Sequence, residues 1–139
     1  MHPIKFPLQF TDKINNFLYR FGKAFLLWMD ITFKTSKLKK IFNSEKELLR
    51  HYGVDNSKRI MLRMQVLFAA PNLSEVPKEK PERCHDLQGN KKGQIAVDLN
   101  HLFRLVFCPN HNPLPLTEEG NLDETKVTCI KILAVEDYH

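Results

Sequence analysis

The sequence has few cysteines, no long apolar run and no sign of a signal peptide. Its three cysteines, Cys84, Cys108 and Cys129, are widely spaced and odd in number, unlike the even framework of a small secreted protein, so a cytoplasmic location is expected. The longest apolar stretch, residues 24–29, is too short to cross a bilayer. With 139 residues, the chain has room for one ordinary core.

Two common catalytic motifs are absent, and the metal-ligand pattern is poor. The chain has no Gly-Lys-Ser/Thr phosphate loop and no Gly-x-Ser-x-Gly turn, which argues against nucleotide hydrolysis and serine hydrolase chemistry. Only Cys108 and His111 have the tight spacing of a zinc-ligand pair, and no second pair accompanies them. The other residues that zinc could use are Cys84, His85, Cys129 and His139. The sequence therefore favours a protein without a metal or cofactor.

The chain has an excess of basic residues. Its formal net charge is +5 and its pI is near 9.2, with lysines and arginines recurring along the middle of the sequence. Such an excess favours a polyanionic partner such as nucleic acid, although a basic, solvated surface without a partner has the same composition.

Residues 1–28 differ in composition from the rest. Phe17, Phe21, Phe25 and Trp28 lie three or four residues apart, as on one face of a helix. Such a segment is typical of a membrane-surface or partner-binding arm. We favour a simpler interpretation, in which residues 1–28 are an extension before a domain that spans 29–139.

The domain begins with a strand followed by helices. Met29 to Lys34 alternate as in a strand, Thr35 or Ser36 caps a short helix through residue 42, and Ser44 caps a second segment that ends at Gly53. A longer helix follows and ends before Pro71. Its predicted core face consists of Ile60, Met61, Met64, Leu67 and Phe68.

From Gln94 the apolar residues recur at every second position. Residues 94–99 and 102–107 predict an antiparallel hairpin, and residues 127–135 predict a third strand. The proline-rich excursion at 108–125 separates strands that should still be neighbours. The sequence therefore predicts a small α+β domain, in which an N-terminal strand and helices pack on a three-stranded antiparallel sheet.

Several basic and titratable side chains are expected near one another. Glycines on either side of Lys91 and Lys92 allow a tight turn that brings both lysines to a strand end, although a solvated turn has the same composition. Arg104 interrupts an apolar strand, so it must face a polar surface or an anion. The predicted sheet could bring these cations together with His85 and the final Asp137-Tyr138-His139.

These groups suit metal-free RNA cleavage. A base removes the proton of a ribose 2′-OH, cations stabilise the charged phosphorane, and an acid protonates the leaving 5′ oxygen. Histidine suits both proton transfers because its pKa is near neutrality. Asp137 could orient an imidazole or act as a base, and Tyr138 could stack on a nucleobase or donate a proton.

Four spaced segments resemble the HigB branch of the RelE/ParE toxin superfamily. They read RCHDLQG at 83–89, GQIAVDL at 93–99, FRLVF at 103–107 and VEDYH at 135–139. The resemblance covers residues 29–139. It implies a compact RelE-like microbial ribonuclease fold and the toxin of a type II toxin-antitoxin pair, which cleaves mRNA in the ribosomal A site without a metal. It also implies a helix-turn-helix, HigA-like antitoxin and binding of operator DNA only through the antitoxin complex.

The resemblance assigns roles to individual residues. It implies that His85, Asp137, Tyr138 and His139 are catalytic and that Arg104 faces the scissile phosphate. It further implies that Lys91, Lys92 and Arg83 contact RNA or the ribosome. The chain departs from the family at Gln88, where many relatives have lysine. Two alternatives are a ParE-like topoisomerase poison, which generally lacks the terminal acid-Tyr-His cluster, and a non-catalytic domain that only binds an antitoxin.

Overall fold

The described part of the chain consists of two helices and one mixed sheet. A computed structural model describes residues 28–100 and 102–137, so residues 1–27 of the predicted extension lie outside it. This α+β composition confirms the fold class that the sequence predicts. The elements, in chain order, are β1 (Asp30–Phe33), α1 (Ser36–Phe42), α2 (Glu45–Ala69), β2 (His85–Asp86), β3 (Ile95–Asp98), β4 (Phe103–Pro109) and β5 (Cys129–Asp137).

Both helices begin at the predicted capping residues. Thr35 Oγ1 accepts a hydrogen bond from the Leu38 N–H at 3.1 Å, and Ser44 Oγ accepts one from the Glu47 N–H at 3.2 Å. These contacts satisfy N–H groups that have no partner within the helix. α2 consists of two helical segments that meet at Gly53, whose φ is 81°. Glycine suits this left-handed conformation because it has no Cβ, which confirms the predicted break.

The second segment of α2 contributes its predicted apolar face to the main core. Ile60, Met64, Leu67 and Phe68 are buried, and Met61 packs at the edge of the same core. Apolar side chains that are fully buried contribute about 1.5–3 kcal/mol each. The main core therefore joins the helices to one face of the sheet. The sheet residues that complete this core include Ile95, Val97, Leu105, Phe107, Ile130 and Ile132.

Within the described residues, the sheet has five strands, whereas the sequence predicts a three-stranded sheet with a separate N-terminal strand packed on it. Their order is β1-β5-β4-β3-β2, with β1 parallel to β5 and every other pair antiparallel. The β3–β4 hairpin and the β4–β5 pairing across the long excursion confirm two predictions. The predicted purely antiparallel sheet is wrong, because β1 joins its edge. In this position Ile31 lies beside Ile130, and both side chains are buried.

The opposite face of the sheet, called here the second face, points away from the helices. Residues directly opposite each other on antiparallel strands project to the same side. A register shift next to Val106 also lets Leu133 pack on that side, against Leu87 and Ala96. Two rows of paired residues therefore lie on the second face: His85, Ala96, Val106 and Ala134, and beside them Asp98, Arg104 and Glu136.

Candidate functional site

The second face combines a small apolar cluster with a charged row. Ala96 and Val106 are fully buried beneath Leu87 and Leu133. Leu87 begins the loop between β2 and β3, and a 2.9 Å hydrogen bond from the Leu87 N–H to the Gln94 carbonyl joins the two ends of this loop. Between these ends, the loop brings Lys91 to Glu136 in the charged row.

Glu136 connects two of the predicted RNA-binding cations. Its Oε1 accepts a hydrogen bond from Arg104 Nη2 at 3.0 Å, and its Oε2 accepts one from Lys91 Nζ at 2.6 Å. Lys91 reaches β5 because the loop turns at Gly89 and Gly93, both of which have positive φ angles. The predicted turn thus brings Lys91, but not the exposed Lys92, into this ion-pair cluster among the described residues.

The cluster keeps Glu136 ionised. Partial burial raises the pKa of Glu136, but hydrogen bonds and attraction from Lys91 and Arg104 outweigh burial and hold its pKa below the usual value. A carboxylate that bridges two cations fixes both of them in place. Arg104 and Lys91 are therefore positioned before any external anion arrives.

Replacing Glu136 with glutamine is expected to lower stability at neutral pH by about 1 kcal/mol or less, since these pairs are partly screened by solvent. The folded-state pKa is lowered, so this contribution is present above the unfolded pKa of about 4.3 and is lost as the pH falls through the folded pKa. Urea unfolding of both proteins should therefore give a difference in free energy that shrinks below about pH 4. The exposed Glu118→Gln variant is the control. A constant difference between wild type and Glu136→Gln at every pH would contradict the assignment.

Arg83 and Asp98 form a second ion pair beside the cluster. Arg83 Nε and Nη2 donate to the two carboxylate oxygens of Asp98 at 2.6 and 2.9 Å. In the register of the sheet, Asp98 lies opposite Arg104. Together with Arg83 and Lys91, the charged row therefore places three cations around two carboxylates, which leaves a net positive charge.

His85 lies in the neighbouring row, with one ring nitrogen already bonded. Its Nδ1 is 2.6 Å from the Arg83 carbonyl oxygen. A carbonyl oxygen can only accept, so the proton of this hydrogen bond belongs to Nδ1. The Nε2 of the neutral ring then carries the lone pair that a general base needs. From strand spacings, the Cα atoms of His85 and Arg104 are about 12 Å apart, a separation that a bound phosphodiester and two side chains can bridge.

The predicted terminal cluster is only partly within the described residues. Asp137 is exposed at the end of β5 and pairs with Phe103, whose side chain packs against the main core. Strand alternation thus directs Asp137 to the helix side, whereas Glu136 projects to the second face. Tyr138 and His139 lie outside the described residues, and the catalytic roles of all three remain predictions.

The three thiols are partly or fully buried, and the His111 ring is hydrogen-bonded to the backbone. Burial raises the pKa of Cys84 to about 11, and burial also raises the pKa values of Cys108 and Cys129. His111 Nε2 accepts hydrogen bonds from the Thr128 and Cys129 N–H groups at 3.1 and 3.2 Å. The Cys108 and His111 pair therefore has a protonated thiol and an imidazole lone pair already in use. Across residues 28–100 and 102–137, no three potential ligand side chains cluster in a way that could hold a metal ion.

Sequence reasoning missed Asp98 and Glu136, which bind the predicted cations. Both residues are acidic positions in alternating strands, directly after apolar residues that face the main core. That alternation marks them as residues of the opposite face, but only the strand register shows that Glu136 lies beside Arg104.

No protein-family model matches the chain, and no curated protein matches it significantly. Within the described residues, neither helix is both long enough and apolar enough to span a membrane.

Proposed function

We propose that this chain is the toxin of a type II toxin-antitoxin pair, a HigB-like, RelE-type endoribonuclease that cleaves mRNA in the ribosomal A site and so inhibits translation. The observation that carries the proposal is the second face, where the contact of His85 Nδ1 with the Arg83 carbonyl leaves Nε2 as the proton acceptor. In the neighbouring row, Arg104 and the loop residue Lys91 lie on either side of Glu136. The proposed protein acts in the cytoplasm, and residues 29–139 form its catalytic domain.

The proposed reaction uses the ribose 2′-OH as the nucleophile. His85 Nε2 accepts the hydroxyl proton, and the 2′ oxygen attacks the adjacent phosphorus. The bond from phosphorus to the 5′ oxygen then breaks, which leaves a 2′,3′-cyclic phosphate and a 5′-hydroxyl after a proton is delivered to the leaving oxygen. Asp137, Tyr138 and His139 are the candidates for that acid and for substrate positioning. Arg104 and Lys91 stabilise the additional negative charge on the phosphorane.

Lys91 compensates for the glutamine at position 88. Gln88 is exposed at the start of the loop, and Lys91, three residues later, reaches the charged row. The same loop therefore still supplies one cation beside Arg104. A phosphate that approaches these two cations competes with Glu136, so RNA binding should depend strongly on ionic strength.

The proposed partners follow from the same assignment. The substrate is mRNA on the ribosome, with Lys92 and Arg83 as additional RNA or ribosome contacts. A helix-turn-helix, HigA-like antitoxin neutralises the toxin, and operator DNA is bound only by the antitoxin complex. No metal or cofactor takes part in the proposed reaction.

Induced expression of the full chain in bacteria is the test. We expect growth arrest and cuts in mRNA that is being translated, whereas the same transcript without a start codon should remain intact. Asp137→Ala and His139→Ala should each reduce toxicity at equal protein levels. If both variants were as toxic as wild type, the assignment of the terminal cluster would be wrong.

The same experiment separates two other functions. DNA damage with intact mRNA would favour a topoisomerase poison. The non-catalytic, antitoxin-binding alternative has one observation in its favour, because Glu136 already pairs with both Arg104 and Lys91. A folded, non-toxic protein that still binds its antitoxin would favour that alternative.

A further inference from the structure

His85 is connected to the core through Arg83 and Asp98. We infer that Asp98 and Arg83 are positioning residues, which hold neutral His85 in the tautomer that has its proton on Nδ1. Its Nε2 is thereby kept as the proton acceptor. The catalytic consequence rests on the proposed function, but the tautomer itself does not.

The contact between His85 and Arg83 determines where the ring carries its proton. The 2.6 Å distance from His85 Nδ1 to the Arg83 carbonyl oxygen requires an N–H on Nδ1. When one ring nitrogen of histidine donates to a fixed acceptor, the other is left as the base. The position of the Arg83 carbonyl therefore determines which nitrogen of His85 can take a proton from a substrate.

The backbone conformation of Arg83 gives its carbonyl this position. Arg83 has a φ of 45°, in the left-handed region that side chains other than glycine rarely adopt. Such a conformation is unfavourable for a residue with a side chain and persists only where surrounding contacts hold it. The Arg83 N–H donates to the Glu79 carbonyl at 2.8 Å and the guanidinium donates twice to Asp98, and these contacts hold the conformation.

Asp98 is itself held in place by backbone hydrogen bonds. Its carbonyl accepts a 2.6 Å hydrogen bond from Nε of Arg63, whose side chain is only 4% exposed, and its N–H donates to the Glu82 carbonyl at 2.8 Å. Arg63 also pairs with the Glu82 carboxylate at 3.8 Å. Asp98 is thus anchored to α2 and to the segment before β2. Its carboxylate can hold Arg83 in one orientation because its own backbone cannot move freely.

Nitrogen-15 NMR of the histidine-labelled full chain tests the tautomer directly. In wild type, at a pH where His85 is neutral, Nδ1 should have the chemical shift of a protonated ring nitrogen and Nε2 that of an unprotonated one. Asp98→Ala should convert His85 to a mixture of tautomers, and Asp98→Glu should partly restore the wild-type pattern. Glu47→Gln, which alters the 3.5 Å pair with Arg50 at the start of α2, should change nothing.

Two results would overturn the inference. One is a wild-type His85 with its proton on Nε2, and the other is an unchanged tautomer in Asp98→Ala when the remaining resonances show a folded protein. Cleavage is measured in parallel on the same proteins. Asp98→Ala should lower kcat by about 10- to 100-fold, the range for loss of a group that orients a functional histidine. RNA affinity should not fall, because the variant removes a negative charge beside Arg83 and Arg104. If wild type does not cleave RNA, the proposed function fails, while the NMR result still decides the role of Asp98.

Discussion

Replacing His85 with alanine is expected to slow mRNA cleavage by about 10²- to 10⁴-fold, the usual effect of removing a general acid or base. The reason is geometric: Nδ1 is occupied by the Arg83 carbonyl, so Nε2 is the nitrogen available to the 2′-OH. Single-turnover cleavage of a message on purified, programmed ribosomes measures the chemical step. Binding of the variant to the ribosome should be nearly unchanged, because the loss falls on kcat.

His51→Ala is the matched control for His85→Ala. His51 is an exposed histidine on α2, and its ring contact is with Tyr52, away from the second face. This variant should cleave at the wild-type rate. The His85 variant loses one part-buried hydrogen bond, worth about 1 kcal/mol, so it should remain folded. Cleavage by folded His85→Ala at the wild-type rate would move the base to another residue, with Asp137, Tyr138 and His139 as the remaining candidates.

The helices were predictable from the sequence because their signals are local. A capping hydroxyl accepts a hydrogen bond from an N–H three residues later in the chain, as Ser44 does from Glu47. The break at Gly53 depends on one residue, and the buried stripe from Ile60 to Phe68 depends on helical spacing within nine positions. None of these features requires knowledge of where the distant chain lies.

The edges of the sheet were not predictable in the same way. β1 has four residues and β2 has two, and each takes its place only by pairing with a strand elsewhere in the chain. Alternation shows that Ile31 is buried, but it does not show that the strand runs parallel to β5. A short strand carries too little pattern to specify its neighbour or its direction.

The cations of the candidate site could be predicted from the sequence, but its carboxylates could not. Arg104 stands out because it interrupts an apolar strand, and the resemblance groups it with His85. Glu136 and Asp98 gain their importance from strand register, since a shift of one residue would turn each to the opposite face. The same alternation separates Glu136 from Asp137, although the two are adjacent in sequence.

Arg104→Ala is expected to lower the cleavage rate by about 10²- to 10³-fold, the effect of removing one preorganised donor from a site of developing negative charge. Arg104→Lys should recover only part of this loss, because an ammonium group lacks the planar fork that binds two phosphate oxygens. The single-turnover assay on programmed ribosomes applies here as well. Arg59→Ala is the matched control, since Arg59 Nε also donates to a carboxylate, that of Asp55 at 3.1 Å, but on α2.

Arg104 also neutralises Glu136, so the single variant alone does not prove contact with phosphate. In the Arg104→Ala variant, the Glu136 carboxylate keeps Lys91 as its partner but loses Arg104. The double variant Arg104→Ala/Glu136→Gln also removes that carboxylate and so separates the two roles. If Arg104 binds the scissile phosphate, the double variant stays about as slow as Arg104→Ala. If Arg104 serves only to balance Glu136, the double variant recovers the wild-type rate, and the phosphate-binding role is wrong. We expect it to stay slow, since Lys91 already balances Glu136 in the single variant and the missing guanidinium is what the phosphorane requires.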